Sequence, residues 1–233
     1  MVVATAGPRR TGAPVLAARD LFRFFHLGDD ETFALRGVSL TAFAGEMLAV
    51  IGPSGSGKST LLACLAGFDE PDGGHVLVAG QRMTRRPETV RAKLRSRWIG
   101  IVLQSGNLLD HLTVAQNIDL ARALHGDGDR TRSVSDVLIE VGLEDRASVW
   151  PSTLSGGEAA RAGVAVAIAN DPTVILADEP TGEVDEENES RILSLLRRNT
   201  EAGAGVVVVT HSDRIASAAD RVLRLSDGAI VDG

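Results

Sequence analysis

The stretch MLAVIGPSGSGKSTLLACLAG, residues 47–67, joins an apolar segment to a helix-like segment through a loop of glycine and serine. It contains Gly52-x-x-x-x-Gly57-Lys58-Ser59, the spacing of a phosphate-binding loop, directly after the apolar run that this motif requires as a strand. Glycines let the backbone curl so that successive N–H groups point at a phosphate. The lysine supplies positive charge to the β- and γ-phosphates, and the serine hydroxyl can bind Mg²⁺. The stretch therefore predicts an α/β nucleotide-binding core whose phosphate contacts are Gly52, Ser54, Gly55, Ser56, Gly57, Lys58 and Ser59.

A second apolar run, TVILADEP at residues 173–180, ends in the adjacent carboxylates Asp178 and Glu179. A parallel strand that emerges beside the phosphate loop would bring Asp178 to the magnesium ion. Glu179 would then be placed to polarise an attacking water molecule. An acidic turn after a strand is common by itself, but it becomes informative in a chain that also has a phosphate loop.

The composition is that of an ordinary globular protein. The 233 residues are 44% hydrophobic and 24% charged, with 3% aromatic residues and no tyrosine, so the core must consist mainly of aliphatic side chains. The formal net charge of -7 argues against a nucleic-acid binder that works through a general basic surface. Cys64 is the only cysteine, which excludes an intramolecular disulfide and a cysteine cluster for zinc.

No segment of the sequence reaches the roughly 18 uninterrupted apolar residues of a membrane-spanning helix. The first residues, MVVATAGPRRTGAP, lack the order of a signal peptide, because the apolar patch is short and precedes the arginines. We therefore expect a flexible tail at residues 1–13 and a cytoplasmic protein that does not itself span a membrane.

Apolar runs predict the strands of the fold. MLAVI, TVILA and GVVVVT are nearly all apolar, as in strands buried on both faces of a parallel sheet. Alternating stretches near the start (APVLAARDLF, VSLTAF) and at the end (DRVLRLSDGAIV) indicate an antiparallel β layer at the edge. Helical patterns follow the phosphate loop and cover about 113–125, 132–142, 157–169 and 186–199. Because residues 105–165 contain no convincing strand, we expect a single domain at 14–233 with an inserted helical subdomain at about 105–165.

A second anion-binding pattern, LSGGE at residues 154–158, stands where a helix begins. Serine and glycine before a helix offer a hydroxyl and exposed backbone N–H groups. Together with GPSGSGKST, Gln104, ILADEPTGEVD and VVVTHS, this pattern makes the chain resemble the ATP-binding cassette (ABC) ATPases from about residue 15 to the C-terminus. The phrases ALRGVSL and LADEPTG are most similar to the cassettes of lipoprotein-release, macrolide-export and antimicrobial-peptide permeases.

The resemblance implies an assembly. In this family two cassettes pair head to tail, and each ATP lies between the phosphate loop of one subunit and the LSGG segment of the other. Ser155, Gly156 and Gly157 would thus contact the γ-phosphate that the partner chain holds. Since the chain has one copy of each motif, a second chain is needed, either as a homodimer or as another cassette. The resemblance also implies a separate membrane permease, which would hold the cassette on the inner face of the cell membrane.

The resemblance assigns roles to further residues. His211, after the run GVVVVT, would reach the γ-phosphate. Gln104 would approach Mg²⁺ and the attacking water while its loop touches the permease. Asp185 in TGEVD lies in the loop through which the two subunits communicate, and Thr60 would bind the α-phosphate. Phe25 occupies the place of the aromatic ring that stacks on adenine, although Phe24 is an alternative and either ring could belong to the core.

The helix after LSGGE departs from the family pattern. Ala159 and Ala160 stand where relatives usually have long polar residues, and Val166 stands where the family has a further arginine. Gly163 in the helix interior costs roughly 0.5–1 kcal/mol relative to alanine. Because the tip at Ser155 to Glu158 is intact, we predict that ATP hydrolysis is retained, with an altered rate or coupling.

Residues 81–98, QRMTRRPETVRAKLRSRW, are dense in arginine and lysine and contain one acid, Glu88. Such a run is commonly a solvated face of the fold. The alternative is a surface near anionic lipid headgroups or near the cytoplasmic loops of a permease. RNA binding is the least compatible with the acidic balance of the whole chain.

Three functions fit the motifs. The first, and our main prediction, is an ATPase whose closure around ATP pulls on a separate permease. The second is a cassette acting on DNA or ribosomes, although such proteins generally carry two cassettes on one chain or long insertions. The third is a regulatory ABC ATPase that controls a membrane complex, such as a cell-wall hydrolase system, without transport. Glu179 and His211 favour ATP hydrolysis, which the first and third functions share.

Overall fold

The computed structural model describes residues 12–27, 30–125, 132–182 and 184–232, so the predicted tail lies outside it apart from residues 12 and 13. The strands are β1 Leu16–Leu27, β2 Asp30–Ala42, β3 Met47–Ile51, β4 Gly73–Val78, β5 Gln81–Arg82, β6 Ile99–Val102, β7 Val174–Asp178, β8 Gly205–Thr210, β9 Arg221–Ser226 and β10 Ala229–Asp232. The helices are α1 Lys58–Ala66, α2 Glu88–Trp98, α3 Val114–Leu124, α4 Val134–Val141, α5 Gly156–Ile168, α6 Glu186–Glu201 and α7 Asp213–Ala218. Within these described ranges, no helix combines the length and apolarity needed to cross a bilayer.

A six-stranded sheet carries the candidate site. Its order is β10-β9-β3-β8-β7-β6, and the strands from β9 to β6 run parallel. Leu48 and Val50 of β3 enter the core on one face of the sheet, and Met47 enters the core on the other. Every residue of β8 is buried. This burial on both faces explains why the apolar runs form a parallel sheet, as predicted.

A second sheet of four strands, β2-β1-β4-β5, is antiparallel. The prediction that the last strands join this layer is wrong. β9 pairs in parallel with β3, and β10 pairs antiparallel with β9 at the edge of the main sheet. The sequence alternates there because β9 has one face toward solvent, with Arg224 exposed between the buried Leu223 and Leu225.

Two apolar clusters hold these layers together. α1 packs against both sheets, and its leucines share one cluster with residues of each, including Leu61, Leu65, Leu16, Leu35, Val76, Leu176 and Val207. On the other face of the parallel sheet, helices contribute Val114, Ile118, Val137, Ile168, Ile192 and Ile215 to the second cluster. Most of the buried side chains in both clusters are aliphatic, as the composition predicts.

Helices α3, α4 and α5 lie between β6 and β7, and the described part of this stretch contains no strand. Each begins with a capping box, in which the side chain of the N-cap residue accepts from the backbone N–H of the third helical residue, and the side chain of that residue accepts from the N-cap N–H. The pairs are Thr113 with Gln116, Ser133 with Asp136 and Ser155 with Glu158. α5 packs on β6 and contacts α3 and α4. The predicted helices are therefore present, and the division into a core and a helical subdomain stays a prediction.

The basic stretch at 81–98 contains α2, a helix that the sequence analysis did not predict. Arg91 pairs with Glu70 at 3.2 Å and with Glu88 at 2.9 Å. Arg95 also pairs with Glu88, and its guanidinium lies 4.9 Å from the centre of the Phe68 ring. Arg91 and Arg95 are therefore paired within the chain. The other basic residues of the stretch are exposed, as in a solvated face: Arg82, Arg85, Arg86, Lys93 and Arg97.

Candidate active site

The phosphate loop connects β3 to α1 at the carboxyl end of the parallel sheet. Gly57 has a φ of 101°, and a Cβ there would overlap the carbonyl oxygen of Ala34, so the turn requires glycine. α1 begins at Lys58, and its N-terminus has no side-chain cap and no acidic residue in the first turn. Uncapped N–H groups at the positive end of a helix dipole are well suited to an anion. Ser54 and Gly55 are exposed at the tip, where a phosphate can reach them.

Two side chains of the loop have groups suited to a phosphate. Nζ of Lys58 donates to the carbonyl oxygens of Gly52 at 2.8 Å and Pro53 at 3.0 Å, which holds the ammonium group across the loop. Oγ of Ser56 is buried and has no hydrogen-bond partner in the described part of the chain. A buried polar group without a partner costs about 1–3 kcal/mol, which a phosphate oxygen within reach would offset. Thr60 is half-buried in the first turn of α1.

Asp178, the last residue of β7, lies beside the start of α1. Burial raises the pKa of Asp178, against the opposing influence of the nearby Ser59 hydroxyl and Lys58 ammonium group. Its Oδ1 is buried and lacks a hydrogen-bond partner among the described residues. A divalent cation would supply both the missing partner and a compensating charge, so Asp178 and Ser59 fit Mg²⁺. Within the described ranges no cluster of three or more His, Cys, Asp or Glu could hold a metal, and nucleotide-bound Mg²⁺ typically uses only one or two protein carboxylates.

Glu179 follows β7 directly, and groups at the end of β8 hold its carboxylate. Oε2 accepts from the Thr210 hydroxyl at 3.1 Å and from the backbone N–H of His211 at 3.2 Å, and Oε1 lies 2.8 Å from Nδ1 of His211. Glu179 has a φ of 44°, uncommon outside glycine, and its N–H donates to the Val209 carbonyl at 2.9 Å. The His211 side chain is 73% exposed and that of Glu179 13% exposed. The structure therefore brings together two predicted catalytic residues, and a ligand can reach the histidine.

Gln104 follows β6 and lines the same cleft as Glu179. The cleft has a volume of about 390 Å³, and Gly156, Ala159 and Ala160 of α5 form part of its wall. The Gln104 segment, the end of β7 and the first turns of α5 therefore meet within one chain. Ala159 and Ala160, two of the departures from the family pattern, form an apolar part of this wall.

Ser155 begins α5 and is exposed. Its Oγ accepts from the Glu158 N–H at 3.3 Å, and its own N–H donates to Glu158 Oε2 at 2.9 Å. The bond from the Ser155 N–H, followed by that from Arg146, lowers the pKa of Glu158 to about 2. Gly156 is exposed, whereas Gly157 is buried.

Asp185 is the N-cap of α6, and its carboxylate is exposed. Its Oδ1 accepts from the backbone N–H of Asn188 at 2.8 Å and from Nδ2 of Asn188 at 3.0 Å. The backbone bond is the main cause that lowers the pKa of Asp185. The aspartate is thus held in a defined orientation at the surface, where another chain can reach it.

Phe25 lies on β1 with 38% of its surface exposed, and the Arg23 guanidinium lies 4.6 Å from the centre of its ring. Phe24 instead packs on Phe33, with the ring centres 5.8 Å apart. The alternative in which Phe25 is a core residue is therefore wrong, because the ring is on the surface. Its stacking on adenine stays a prediction.

Known proteins are similar to this chain in sequence and in fold. A family model described as ABC transporter matches residues 35–182. The chain belongs to the ABC transporter family. It is 43% identical over 218 residues to an ABC transporter ATP-binding protein of Thermotoga maritima, across 93% of each chain.

Two further relatives have more specific names. The lipoprotein-releasing system ATP-binding protein LolD 1 of Caulobacter vibrioides is 41% identical over 221 residues, which cover 93% of this chain and 94% of LolD 1. The macrolide export ATP-binding/permease protein MacB of Shigella flexneri is 39% identical over 220 residues. That match covers 94% of this chain and 34% of MacB, so the cassette spans about a third of MacB.

A solved structure confirms the fold. The dimeric ATP-binding cassette MJ0796, in a post-hydrolysis state bound to ADP and Pi, matches with a TM-score of 0.86 and 33% identity over 93% of this chain and 96% of that one. A second dimeric structure of MJ0796 matches with a TM-score of 0.85. The predicted α/β phosphate-loop fold is therefore correct, and the chain is an ABC ATPase.

The cassette also contains a contact that its motifs did not reveal. A Cβ at Gly163 of α5 would lie 2.8 Å from Cβ of Asn107. Asn107 holds the segment after β6, because its Oδ1 accepts from the Leu103 N–H and its Nδ2 donates to the Leu103 carbonyl, both at 2.7 Å. Gly163 lowers the intrinsic stability of the helix, but it also lets the segment that carries Gln104 dock on α5. The one signal in the sequence is a glycine inside a helix, which often marks close packing.

We expect Gly163→Ala to destabilise the cassette, although alanine favours a helix over glycine by about 1 kcal/mol. The added Cβ displaces Asn107 or α5, and overpacking of this kind costs about 1–3 kcal/mol. In a domain of this size the melting temperature should fall by about 2–4 °C for each kcal/mol. Asn107→Gly removes the colliding Cβ but also the two bonds to Leu103, so in a double-mutant cycle the loss in the double variant should be smaller than the sum of the two single losses. A rise in melting temperature for Gly163→Ala alone would show that the contact does not explain the glycine.

Proposed function

We propose that this chain is the ATP-hydrolysing subunit of a membrane transporter of the export or lipoprotein/peptide-release type, and that two copies enclose two ATP molecules. The observation that carries the proposal is the pair of anion-binding segments on different elements of one chain. The uncapped start of α1 bears Lys58 and lies beside Asp178, whereas the exposed Ser155 begins α5. In a head-to-tail dimer each segment meets its counterpart on the other chain. The dimeric MJ0796 cassette with ADP and Pi supports this arrangement.

Within one chain, the phosphate loop binds the phosphates through its backbone N–H groups, with Lys58 neutralising charge on the β- and γ-phosphates. Ser59 and Asp178, together with Gln104, would hold Mg²⁺, which supplies further compensation of phosphate charge. Burial of the unpaired Asp178 oxygen supports this assignment. Phe25, exposed on β1, stacks on the adenine ring.

Glu179 is the proposed general base. It accepts a proton from the water that attacks the γ-phosphate, and its contacts with Thr210 and His211 orient the carboxylate for this transfer. His211 is exposed enough to contact the γ-phosphate as well. The contact at 2.8 Å between the two side chains supports their action as a unit.

The second chain completes each site. Ser155, Gly156 and Gly157 direct the hydroxyl and N–H groups at the start of α5 to the γ-phosphate that the partner holds. Asp185, fixed at the surface of α6, faces the partner and links the two sites. ATP binding then closes the dimer, and hydrolysis allows it to open.

A separate permease converts this closure into movement of a cargo. The names of LolD 1 and MacB connect those relatives to lipoprotein release and macrolide export. For this chain we propose a cytoplasmic position on the inner face of the cell membrane, held there by the permease, which also recognises the cargo.

ATP turnover of the purified chain, alone and with the membrane protein that copurifies with it, tests the proposal. We expect turnover above that of Glu179→Gln, despite Ala159, Ala160 and Val166 in α5. Turnover no higher than that of the variant would contradict hydrolysis. Copurification with ribosomes in place of a multispanning protein would contradict a role in transport. Turnover without cargo movement in reconstituted vesicles would favour the regulatory alternative.

A further inference from the structure

The side chain of Asn188 lies between Asp185 and the start of α5. On one side, its Nδ2 and its backbone N–H both donate to Oδ1 of Asp185, at 3.0 Å and 2.8 Å. Both bonds end on the same carboxylate oxygen, so they fix the orientation of that group. None of the sequence motifs assigned a role to Asn188.

The other side of the amide binds α5. Nη1 of Arg161 donates to Oδ1 of Asn188, and Nε of Arg161 donates to the carbonyl oxygen of Val141 at the end of α4, at 3.1 Å. Arg161 is only 7% exposed, and burial lowers its pKa. Because a buried guanidinium without partners is costly, Arg161 and Asn188 hold each other in one orientation.

The amide also packs directly on the LSGG segment. A Cβ at Gly157 would overlap the Cγ, Nδ2 and Oδ1 atoms of Asn188. A side chain at position 157 would therefore displace the Asn188 amide, whereas glycine lets the start of α5 lie against it. Asn188 thus contacts both Asp185 and the backbone of the LSGG segment, the two parts of the chain that meet the partner in the proposed dimer.

We propose that Asn188 is a positioning residue that holds Asp185 and the segment Ser155–Gly157 in a fixed relation, so that both meet the partner chain as one unit. This role rests on the proposed function. Asp185 and Ser155 are exposed, whereas Asn188 is half-buried. Catalysis is sensitive to errors in position of about 1 Å, which can lower the rate about 100-fold. Loss of the amide leaves Asp185 Oδ1 with the bond from the backbone N–H of residue 188 alone, so the carboxylate is less tightly oriented, and it removes the side chain that packs on Gly157.

Two substitutions separate the halves of the contact. Asn188→Ala removes the side-chain contacts with both Arg161 and Asp185. Asn188→Asp keeps an acceptor for Arg161 and loses the side-chain donor to Asp185. The matched control is Ser194→Ala, because Ser194 is exposed on the same helix and donates only to the Ser190 carbonyl. Each variant is compared with the wild-type chain for kcat, KM, ATP binding and melting temperature.

We expect Asn188→Ala and Asn188→Asp to lower kcat by about 10- to 100-fold, with ATP binding by the isolated chain changed by less than about twofold. Ser194→Ala should keep the kcat of the wild type. A purely structural cap predicts a lower melting temperature with kcat within about twofold of the wild type, and that result would overturn the positioning role. If Asn188→Asp alone keeps full kcat, the link to Asp185 is also refuted.

The outcomes separate this role from the proposed function. Wild-type turnover no higher than that of Glu179→Gln overturns the proposed function and the positioning role with it. Normal wild-type turnover with unaffected Asn188 variants overturns the positioning role alone. A double-mutant cycle of Arg161→Met and Asn188→Ala tests the physical link without any activity: the shifts in melting temperature should be non-additive, and additive shifts would refute the contact.

Discussion

Glu179→Gln is expected to reduce ATP turnover by about 10²- to 10⁴-fold, the range that a positioned general base contributes. Glutamine has nearly the same shape, and its amide oxygen can still accept hydrogen bonds from Thr210 and from the His211 N–H, which now hold the carboxylate. The fold and the phosphate loop should therefore remain intact. The amide cannot accept the proton of the attacking water, so only the chemical step is lost.

Steady-state phosphate release and nucleotide binding, measured on the same preparation, check this prediction. ATP binding should be retained, and the variant should accumulate as an ATP-bound dimer in size-exclusion chromatography. Glu201→Gln is the matched control, because Glu201 is an exposed acid at the end of α6 and outside the site. If Glu179→Gln keeps more than about a tenth of the wild-type rate, another group must act as the base.

Ser155→Arg is expected to abolish turnover while leaving ATP binding by the isolated chain nearly unchanged. The side chain is exposed at the start of α5, so a large cation there should obstruct the face that meets the partner's nucleotide. Loss of the Ser155 cap costs about 1 kcal/mol, which α5 should tolerate because its other contacts persist. Ser155→Ala, which loses the same cap without adding bulk, is the control for this loss of stability.

Mixing two inactive variants tests whether Ser155 acts on the nucleotide of the other chain. The Ser155→Arg chain has an intact phosphate loop, and the Lys58→Ala chain has an intact LSGG segment. In a head-to-tail heterodimer of the two, one site combines both intact parts, so the mixture should show turnover that neither variant has alone. No recovery in a mixture that forms heterodimers would contradict the head-to-tail arrangement.

The sequence predicted the parts of the fold that local patterns encode. A glycine-rich loop between an apolar strand and a helix has few alternative structures, because its backbone conformations and charges match phosphate binding. Asp178 and Glu179 could be predicted as site residues because they end a strand of the same parallel sheet. The carboxyl end of such a strand lies beside the phosphate loop. The resemblance to the family singled out His211 after the run GVVVVT, and the structure adds its contact with Glu179 at the end of β8.

Other elements were missed because their partners are distant in sequence. The sequence pattern did not indicate α2, because this segment is highly charged and its Arg91 pairs with Glu70 and Glu88 only after folding. The last strands were assigned to the wrong sheet, since alternation indicates one solvated face and does not identify the neighbouring strand. β9 pairs with β3, whose sequence lies far away.

The sequence by itself thus determined the nucleotide-binding core, the family and the identity of most candidate site residues, because each depends on short-range order of residue types. Only the tertiary structure decided how these segments are joined. It placed Asn107 against Gly163 and Asn188 against Gly157, two close approaches that require the absence of a side chain on α5. A glycine in a sequence does not name the residue that will lie against it. That partner is decided by packing between elements distant in the chain.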